Sequence, residues 1–173
     1  SNGFSLVRRI VELAGLSFGD PAPFEPGSTV GKALLEPTRI YVKSCLAALR
    51  AQGHENEQSG IRAFAHITGG GLTENIPRIL PAGVGVHLEA GSWPVPPVFS
   101  WLSTAGGVSR DEMVRTFNCG VGMVVIVDPS HADRVLELFA GEGEIVSRIG
   151  HVTDCSDGFP QVVIENLEGE WLA

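Results

Sequence analysis

The fold is decided by the stretch IRAFAHITGGGLTENIPRIL, residues 61–80. Residues 61–67 form a mostly apolar run of strand length, which predicts a β-strand. Gly69, Gly70 and Gly71 end that strand, and the spacing of apolar residues in 72–80 predicts a helix that Pro77 bends or stops early. A strand, a glycine-rich turn and a helix in succession predict a layered fold in which helices cover a sheet.

The rest of the chain continues this interleaving. Helices are predicted at residues 4–14, 37–53, 97–104, 109–115 and 129–140, and strands at 84–88, 120–127, 144–152 and 161–165. Pro37 lies in the predicted first turn of its helix, and Ser109 with Glu112 forms a capping box. Residues 17–33 predict an irregular surface segment and residues 54–59 a loop. Together these signals predict one domain, residues 1–173, of the α/β or α+β class, with helices layered on a mixed sheet.

The composition argues for a folded domain that binds neither nucleic acid nor membranes. With 43% apolar and 18% charged residues, the 173-residue chain can bury a core. Its 12 basic and 20 acidic residues give a net charge of −8, without a basic cluster for a phosphate backbone. Apolar runs such as 121–127 fall short of the roughly 20 residues that cross a bilayer. Three cysteines without paired spacing predict neither a disulfide framework nor a zinc site, which fits the cytoplasm.

The glycine loop, defined here as residues 68–71, is the strongest candidate for a binding site. Residues without Cβ let the backbone approach a ligand, and the start of the following helix offers free N–H groups and the positive end of its dipole. We therefore predict that Thr68, Gly69, Gly70 and Gly71, with the amide of Asn75, bind a phosphate. The alternative is a tight turn that only joins strand to helix.

His66 lies two residues before the glycine loop. An imidazole there can carry a proton or hydrogen-bond a phosphoryl oxygen near neutral pH, so His66 is the candidate catalytic residue. A structural histidine is an equal alternative. The other four histidines lack the spacing that places two on one helix face, so no metal site is predicted.

Three further motifs are better interpreted as structure. Residues 27–33, GSTVGKA, are one residue short of a P-loop and carry Ala33 at the place of its metal-binding hydroxyl, so they indicate a turn-rich loop with a solvated Lys32. Cys119 is interpreted as a buried apolar residue rather than a nucleophile. The two carboxylates of residues 154–158, DCSDG, indicate a turn.

Four blocks of the sequence resemble the signatures of phosphoribosylformylglycinamidine cyclo-ligase, also called aminoimidazole ribonucleotide synthetase. They are SNGFSLVR at 1–8, LLEPTRIYVK at 34–43, HITGGGLTENIPR at 66–78 and RTFNCGVGM at 115–123. The blocks stand in the family's order and span nearly the whole chain. The resemblance implies that this chain is the C-terminal domain of such an enzyme, with Cys119 where the family usually has an apolar Met.

The resemblance also implies a reaction and its components. In the family, ATP phosphorylates the amide oxygen of formylglycinamidine ribonucleotide, the amidine nitrogen attacks, and phosphate leaves as the imidazole ring closes. The family motif at the start is His-Ser-Asn-Gly, so we expect a preceding domain that carries the ATP and Mg²⁺ ligands and most of a homodimer contact. The chain alone should then be inactive. The phosphate on the glycine loop would belong to the substrate or to ATP, and Ser1, Asn2 and Gly3 would line the same cleft.

Two rival functions stay open. One is a relative with the same two-domain plan: formylglycinamidine ribonucleotide synthase, selenophosphate synthetase, thiamine-phosphate kinase or the hydrogenase-maturation protein that dehydrates a carbamoyl group. The blocks at 34–43 and 115–122 favour the cyclo-ligase over these. The other rival is a non-catalytic module that binds a small anion or a partner protein, with the glycines as a structural turn.

Overall fold

The computed structural model describes residues 2–51, 60–156, 159–169 and 171. Its helices are α1 (Phe4–Leu13), α2 (Val30–Leu34), α3 (Val42–Ala51), α4 (Gly71–Asn75), α5 (Pro97–Gly106), α6 (Arg110–Thr116) and α7 (Ala132–Gly141). Its strands are β1 (Ile61–His66), β2 (Val84–Glu89), β3 (Met123–Val127), β4 (Gly150–Asp154) and β5 (Val162–Glu165). Two 3-10 turns, Ile76–Ile79 and Pro129–His131, follow α4 and precede α7.

The described strands form two sheets, where the sequence predicted one. In the first, β1 pairs antiparallel with β3, and His66 lies opposite Met123. In the second, β2 is the central strand of a mixed sheet, antiparallel to β4 and parallel to β5. The helices and the mixed sheet confirm the α+β class, although β1 and β3 form a separate pair.

The pair of β1 and β3 lies between two hydrophobic cores. Ala65 and Val124 belong to the larger core, together with residues of α1, α5 and α6. Ile61 belongs to the smaller core with residues of α3 and α7, and Phe64 packs against it. Successive side chains of a strand point to opposite faces, so Phe64 and Ala65 fill different cores. Because β1 is packed on both faces, the start of the glycine loop is fixed in position.

Several local predictions are confirmed. The Ser109 hydroxyl accepts a hydrogen bond from the amide of Glu112 at 3.3 Å, so Ser109 caps α6, while the Glu112 carboxylate accepts from the Thr116 hydroxyl at 3.0 Å. Gly107 ends α5 in a left-handed conformation with φ +59°. Near Pro77 the helix α4 gives way to a 3-10 turn, as expected of a residue without an N–H group.

Two predicted boundaries are wrong by five residues or more. Helix α3 begins at Val42 rather than at Pro37, and β4 begins at Gly150 rather than at Glu144. The two irregular segments meet at one contact, because the Arg39 side chain binds Glu144 at 2.6 Å. This ion pair ties two irregular segments together across about 100 residues of sequence, so neither local pattern could show it.

Residues 17–33 hold more order than predicted. The Thr29 hydroxyl caps α2 by accepting from the amide of Lys32 at 3.3 Å, and Val30 is completely buried. Pro21 and Thr29 form an isolated β-bridge. The segment therefore packs onto the larger core, while Lys32 is exposed as predicted. The loop predicted at 54–59 lies outside the described residues.

Candidate functional site

The glycine loop connects β1 to α4 in a conformation that requires glycine. Gly70 has φ +92° and Gly71 has φ +55°, both in the left-handed region. The loop is closed by the amide of Gly71, which donates to the carbonyl of Thr68 at 3.0 Å. Among the described residues, the amides of Gly69 and Gly70 donate to no backbone carbonyl. Two N–H groups are thus left without backbone partners in a turn, a feature that an anion can use.

The three glycines of the loop differ in their surroundings. An added Cβ on Gly71 would overlap with the carbonyl oxygen of Val114 and would lie 2.7 Å from the carbonyl oxygen of Phe117. Gly71 therefore packs against the end of α6. The space beside Gly70 is filled by the Glu74 side chain, with one carboxylate oxygen 2.5 Å from the Cβ position. Gly69 is exposed, and the nearest atom to its Cβ position is Nδ2 of Asn2 at 3.7 Å. Of the three, only Gly69 combines an open surface with an ordinary backbone conformation.

Asn75 stabilises the loop through two hydrogen bonds from its side chain to the loop backbone. Its side chain is 4% exposed, and its amide nitrogen donates to the carbonyls of Gly69 at 3.1 Å and of Gly71 at 2.8 Å. Both amide hydrogens are therefore used inside the loop, and Asn75 acts here as a structural residue. The contact of Asn75 with a phosphate stays a prediction, as does the role of Thr68, which is half-buried.

The first block of the sequence lies beside the loop. The Asn2 amide donates to the carbonyl of Thr116 at 3.2 Å while its nitrogen approaches Gly69. Gly3 has φ +71°, and the Phe117 ring occupies the place of its missing Cβ. Asn2 thus lies beside the glycine loop and Gly3 against Phe117, whereas Ser1 lies outside the described residues. That they line a ligand cleft stays a prediction.

An ion pair adds charge to this surface. The Arg115 guanidinium lies 3.6 Å from the carboxylate of Glu74, and both side chains are more than half exposed. Exposed pairs of this kind contribute only about 0–1 kcal/mol. The pair therefore places a carboxylate beside Gly70 and a guanidinium next to that carboxylate.

His66 ends β1 on the exposed side of the site. Its backbone pairs with Met123, and the next residue, Ile67, donates its amide to Gly122 at 2.9 Å. The imidazole faces the ring of Tyr41 edge-on, with 6.0 Å between ring centroids and 69° between planes. His66 therefore contacts Tyr41, a residue of the block 34–43 that was not predicted as a site residue. Its only sequence signal was membership in one of the four resembling blocks.

Tyr41 is itself held in a polar surrounding. Burial, and after it the negative charge of Glu144, raise the pKa of the Tyr41 phenol, although Arg39 acts in the opposite direction. The phenol is therefore neutral near physiological pH.

Cys119 is a structural residue, in agreement with its interpretation from the sequence. It is fully buried and has φ +47°, and its thiol donates to the carbonyl of Met113 at 3.5 Å. Burial raises the pKa of the thiol to about 12. The reactive thiolate is therefore scarce at neutral pH.

Other features of the described residues lie apart from this site. Surface depressions of about 400 and 350 Å³ are lined by residues around Trp93 and around His87, away from the glycine loop. No three histidine, cysteine or acidic side chains in the described ranges are placed to hold a metal ion. Likewise, none of the helices described is long and apolar enough to span a bilayer.

The four blocks converge in space. Blocks 1–8, 66–78 and 115–123 meet around Asn2, Gly71 and Phe117, and block 34–43 reaches the same strand end through Tyr41. A comparison with protein-family models identifies the family to which the chain is similar. The model described as "AIR synthase related protein, C-terminal domain" matches residues 1–163.

Proposed function

The chain belongs to the family of C-terminal domains of AIR synthase related proteins, and from that premise we propose that it forms one wall of the active site of an ATP-dependent cyclo-ligase. The proposed reaction closes formylglycinamidine ribonucleotide to aminoimidazole ribonucleotide, with release of ADP and phosphate. The observation that carries the proposal is the convergence of the four resembling blocks on the glycine loop. The blocks at 34–43 and 115–123 favour the cyclo-ligase among the enzymes of this plan.

In the proposed site, the glycine loop binds a phosphate of the substrate or of ATP. The amides of Gly69 and Gly70 are the donors, because both lack a backbone acceptor in the described structure. Arg115, paired with Glu74, supplies a nearby positive charge. ATP would supply the phosphoryl group that turns the amide oxygen into a leaving group.

His66 is proposed to contact the reacting centre. Its side chain is exposed and lies two residues before the glycine loop. An imidazole can donate or accept a proton near neutral pH. Asn2 and Gly3 extend the same wall, since they lie against Gly69 and Phe117.

The remaining components are proposed to come from outside the chain. On the basis of the family resemblance, we propose that the Mg²⁺ ligands and most ATP contacts belong to a preceding domain. That domain would also form most of a homodimer interface, and the enzyme would work in the cytoplasm. A separate 173-residue chain is then inactive.

The test is an assay of the complete gene product with formylglycinamidine ribonucleotide, ATP and Mg²⁺. The proposal expects ATP-dependent formation of aminoimidazole ribonucleotide, and the 173-residue chain alone as control should form none. A complete protein that is folded and binds ATP but turns over the substrate of one of the related enzymes instead would replace the cyclo-ligase with that relative. A protein without ATP-dependent activity on any of these substrates would favour a non-catalytic anion-binding module.

A further inference from the structure

The Tyr41 ring is wedged between His66 and the start of β3. It meets His66 edge-on with 6.0 Å between centroids. An added Cβ on Gly122 would also collide with the phenol, lying 2.7 Å from Cζ and 3.0 Å from Cε2. Gly122 therefore needs to be small because Tyr41 occupies that space. The ring thus packs against the backbone at Gly122, although residue 41 lies outside regular secondary structure.

The backbone that carries Tyr41 is held by a buried carboxylate. Glu144 has a side chain that is 10% exposed and binds Nε of Arg39 at 2.6 Å. It also accepts from the hydroxyl of Ser44 at 2.5 Å, while Arg39 donates to the carbonyl of Gly143 at 3.0 Å. A carboxylate so far removed from water is strongly unfavourable without its partners. This group of Arg39, Ser44 and Glu144, called the Glu144 clamp below, fixes the segment from both sides of Tyr41.

His66 has no comparable support of its own. It is exposed at the end of β1, so burial does not fix the side-chain rotamer of its imidazole. Edge-to-face contact with an aromatic ring is favourable and directional. Among the described residues, the Tyr41 ring is the aromatic neighbour of this imidazole, and it can therefore restrain its orientation.

We infer that Tyr41, held by the Glu144 clamp, is a positioning residue that sets the orientation of the His66 imidazole beside the glycine loop. The contact itself is independent of the proposed function, but its effect on catalysis rests on that function. Tyr41 acts through His66 and needs no contact with substrate.

The contact is tested first by NMR of the chain with its histidine ring carbons labelled. In the unmodified chain we expect nuclear Overhauser effects between the Tyr41 and His66 ring protons, and His66 ring signals shifted by the Tyr41 ring current. Tyr41→Leu should remove the ring-current shift, and the matched control Tyr41→Phe should retain it. The absence of the Overhauser effects in the unmodified chain would overturn the inference even if Tyr41→Leu did not fold.

The clamp is tested with Glu144→Gln, which removes the charge and keeps the shape. We expect the His66 ring signals to move towards their positions in Tyr41→Leu, while amide signals of α5 and α6 stay in place. Unmoved His66 signals would show that Tyr41 is seated without the clamp and would overturn that part of the inference.

The catalytic effect is tested by a double-mutant cycle in the complete gene product. Tyr41→Leu should lower kcat by about two- to tenfold, the bias that an edge-to-face contact gives, and Tyr41→Phe should restore it. In a His66→Ala background, Tyr41→Leu should cause no further loss. Independent losses from the two substitutions would show a purely structural role. A complete protein without cyclo-ligase activity would refute the proposed function, whereas the NMR result would still decide whether Tyr41 positions His66.

Discussion

Substitution of Gly71 by Ala should destabilise the chain far more than the same change two residues earlier. The added methyl group at position 71 would press on the backbone carbonyls of Val114 and Phe117, which cannot rotate away as a side chain can. Overpacking of this kind costs about 1–3 kcal/mol. The left-handed conformation at φ +55° adds about 1–2 kcal/mol for a residue with a Cβ. The expected loss is therefore about 2–5 kcal/mol in the free energy of unfolding.

Gly69→Ala is the matched control in the same loop. Its Cβ would meet nothing closer than the Asn2 amide nitrogen at 3.7 Å, and its φ lies outside the left-handed region. The expected change is within about 0.5 kcal/mol. Urea unfolding followed by circular dichroism measures both variants, and an unchanged slope against denaturant keeps the comparison valid. Equal midpoints for Gly71→Ala and Gly69→Ala would refute the claim that Gly71 is a packing residue.

Three further predictions concern the rest of the chain. Cys119 should resist alkylation in the native chain and react fully in about 6 M urea, because burial keeps its thiol protonated; rapid native labelling of Cys119 by mass spectrometry would contradict this. Val30→Ala should cost about 2 kcal/mol from lost burial and a small cavity, whereas the exposed Val42→Ala should change urea midpoints little; similar losses would argue against the packing of residues 17–33. Two hydrogen bonds from Arg62, and to a smaller extent its charge, lower the pKa of Asp128. The ionised carboxylate therefore stabilises the fold above its unfolded pKa of about 3.9. This stabilisation is lost as the pH falls through the lowered pKa of the folded state. Asp128→Asn should therefore be less stable than the parent near pH 7 and equal to it near about pH 2, and a difference that persists in acid would contradict the assignment.

The sequence predicted best those features that short stretches decide. The helix cap at Ser109 and the break near Pro77 depend on residues within one turn of each other, and both are confirmed. The strand before the glycine loop was also predicted, because its length and apolar character are local properties. The same applies to the left-handed stop at Gly107.

The features that the sequence did not predict depend on contacts between distant residues. Pro37 favours a helix start in isolation, but residues 36–41 and 144–149 lie outside helices and strands and are joined by the ion pair of Arg39 and Glu144. The different roles of Gly69 and Gly71 follow from the approach of α6, which no local pattern contains. Tyr41 was missed for the same reason, since its partner His66 lies 25 positions later in the numbering.

The resemblance could order the four blocks but could not place them in space. The structure brings all four to one end of β1 and β3, which local sequence patterns do not reveal. It also shows that the Asn75 amide is committed to the loop, so the first donors to consider are the backbone amides of Gly69 and Gly70.

The central claim is that the open side of the glycine loop binds a phosphate, and the most direct test is Gly69→Val in the complete gene product. A branched side chain there would block approach to the free amides without the packing and φ strain that complicate Gly70 and Gly71. Hydrogen bonds to charged groups contribute about 1.5–3 kcal/mol each, so the account predicts a rise of about tenfold or more in the KM for formylglycinamidine ribonucleotide or for ATP. The substrate whose KM rises identifies the phosphate that is bound. An active, stably folded Gly69→Val enzyme with both Michaelis constants unchanged would contradict the account.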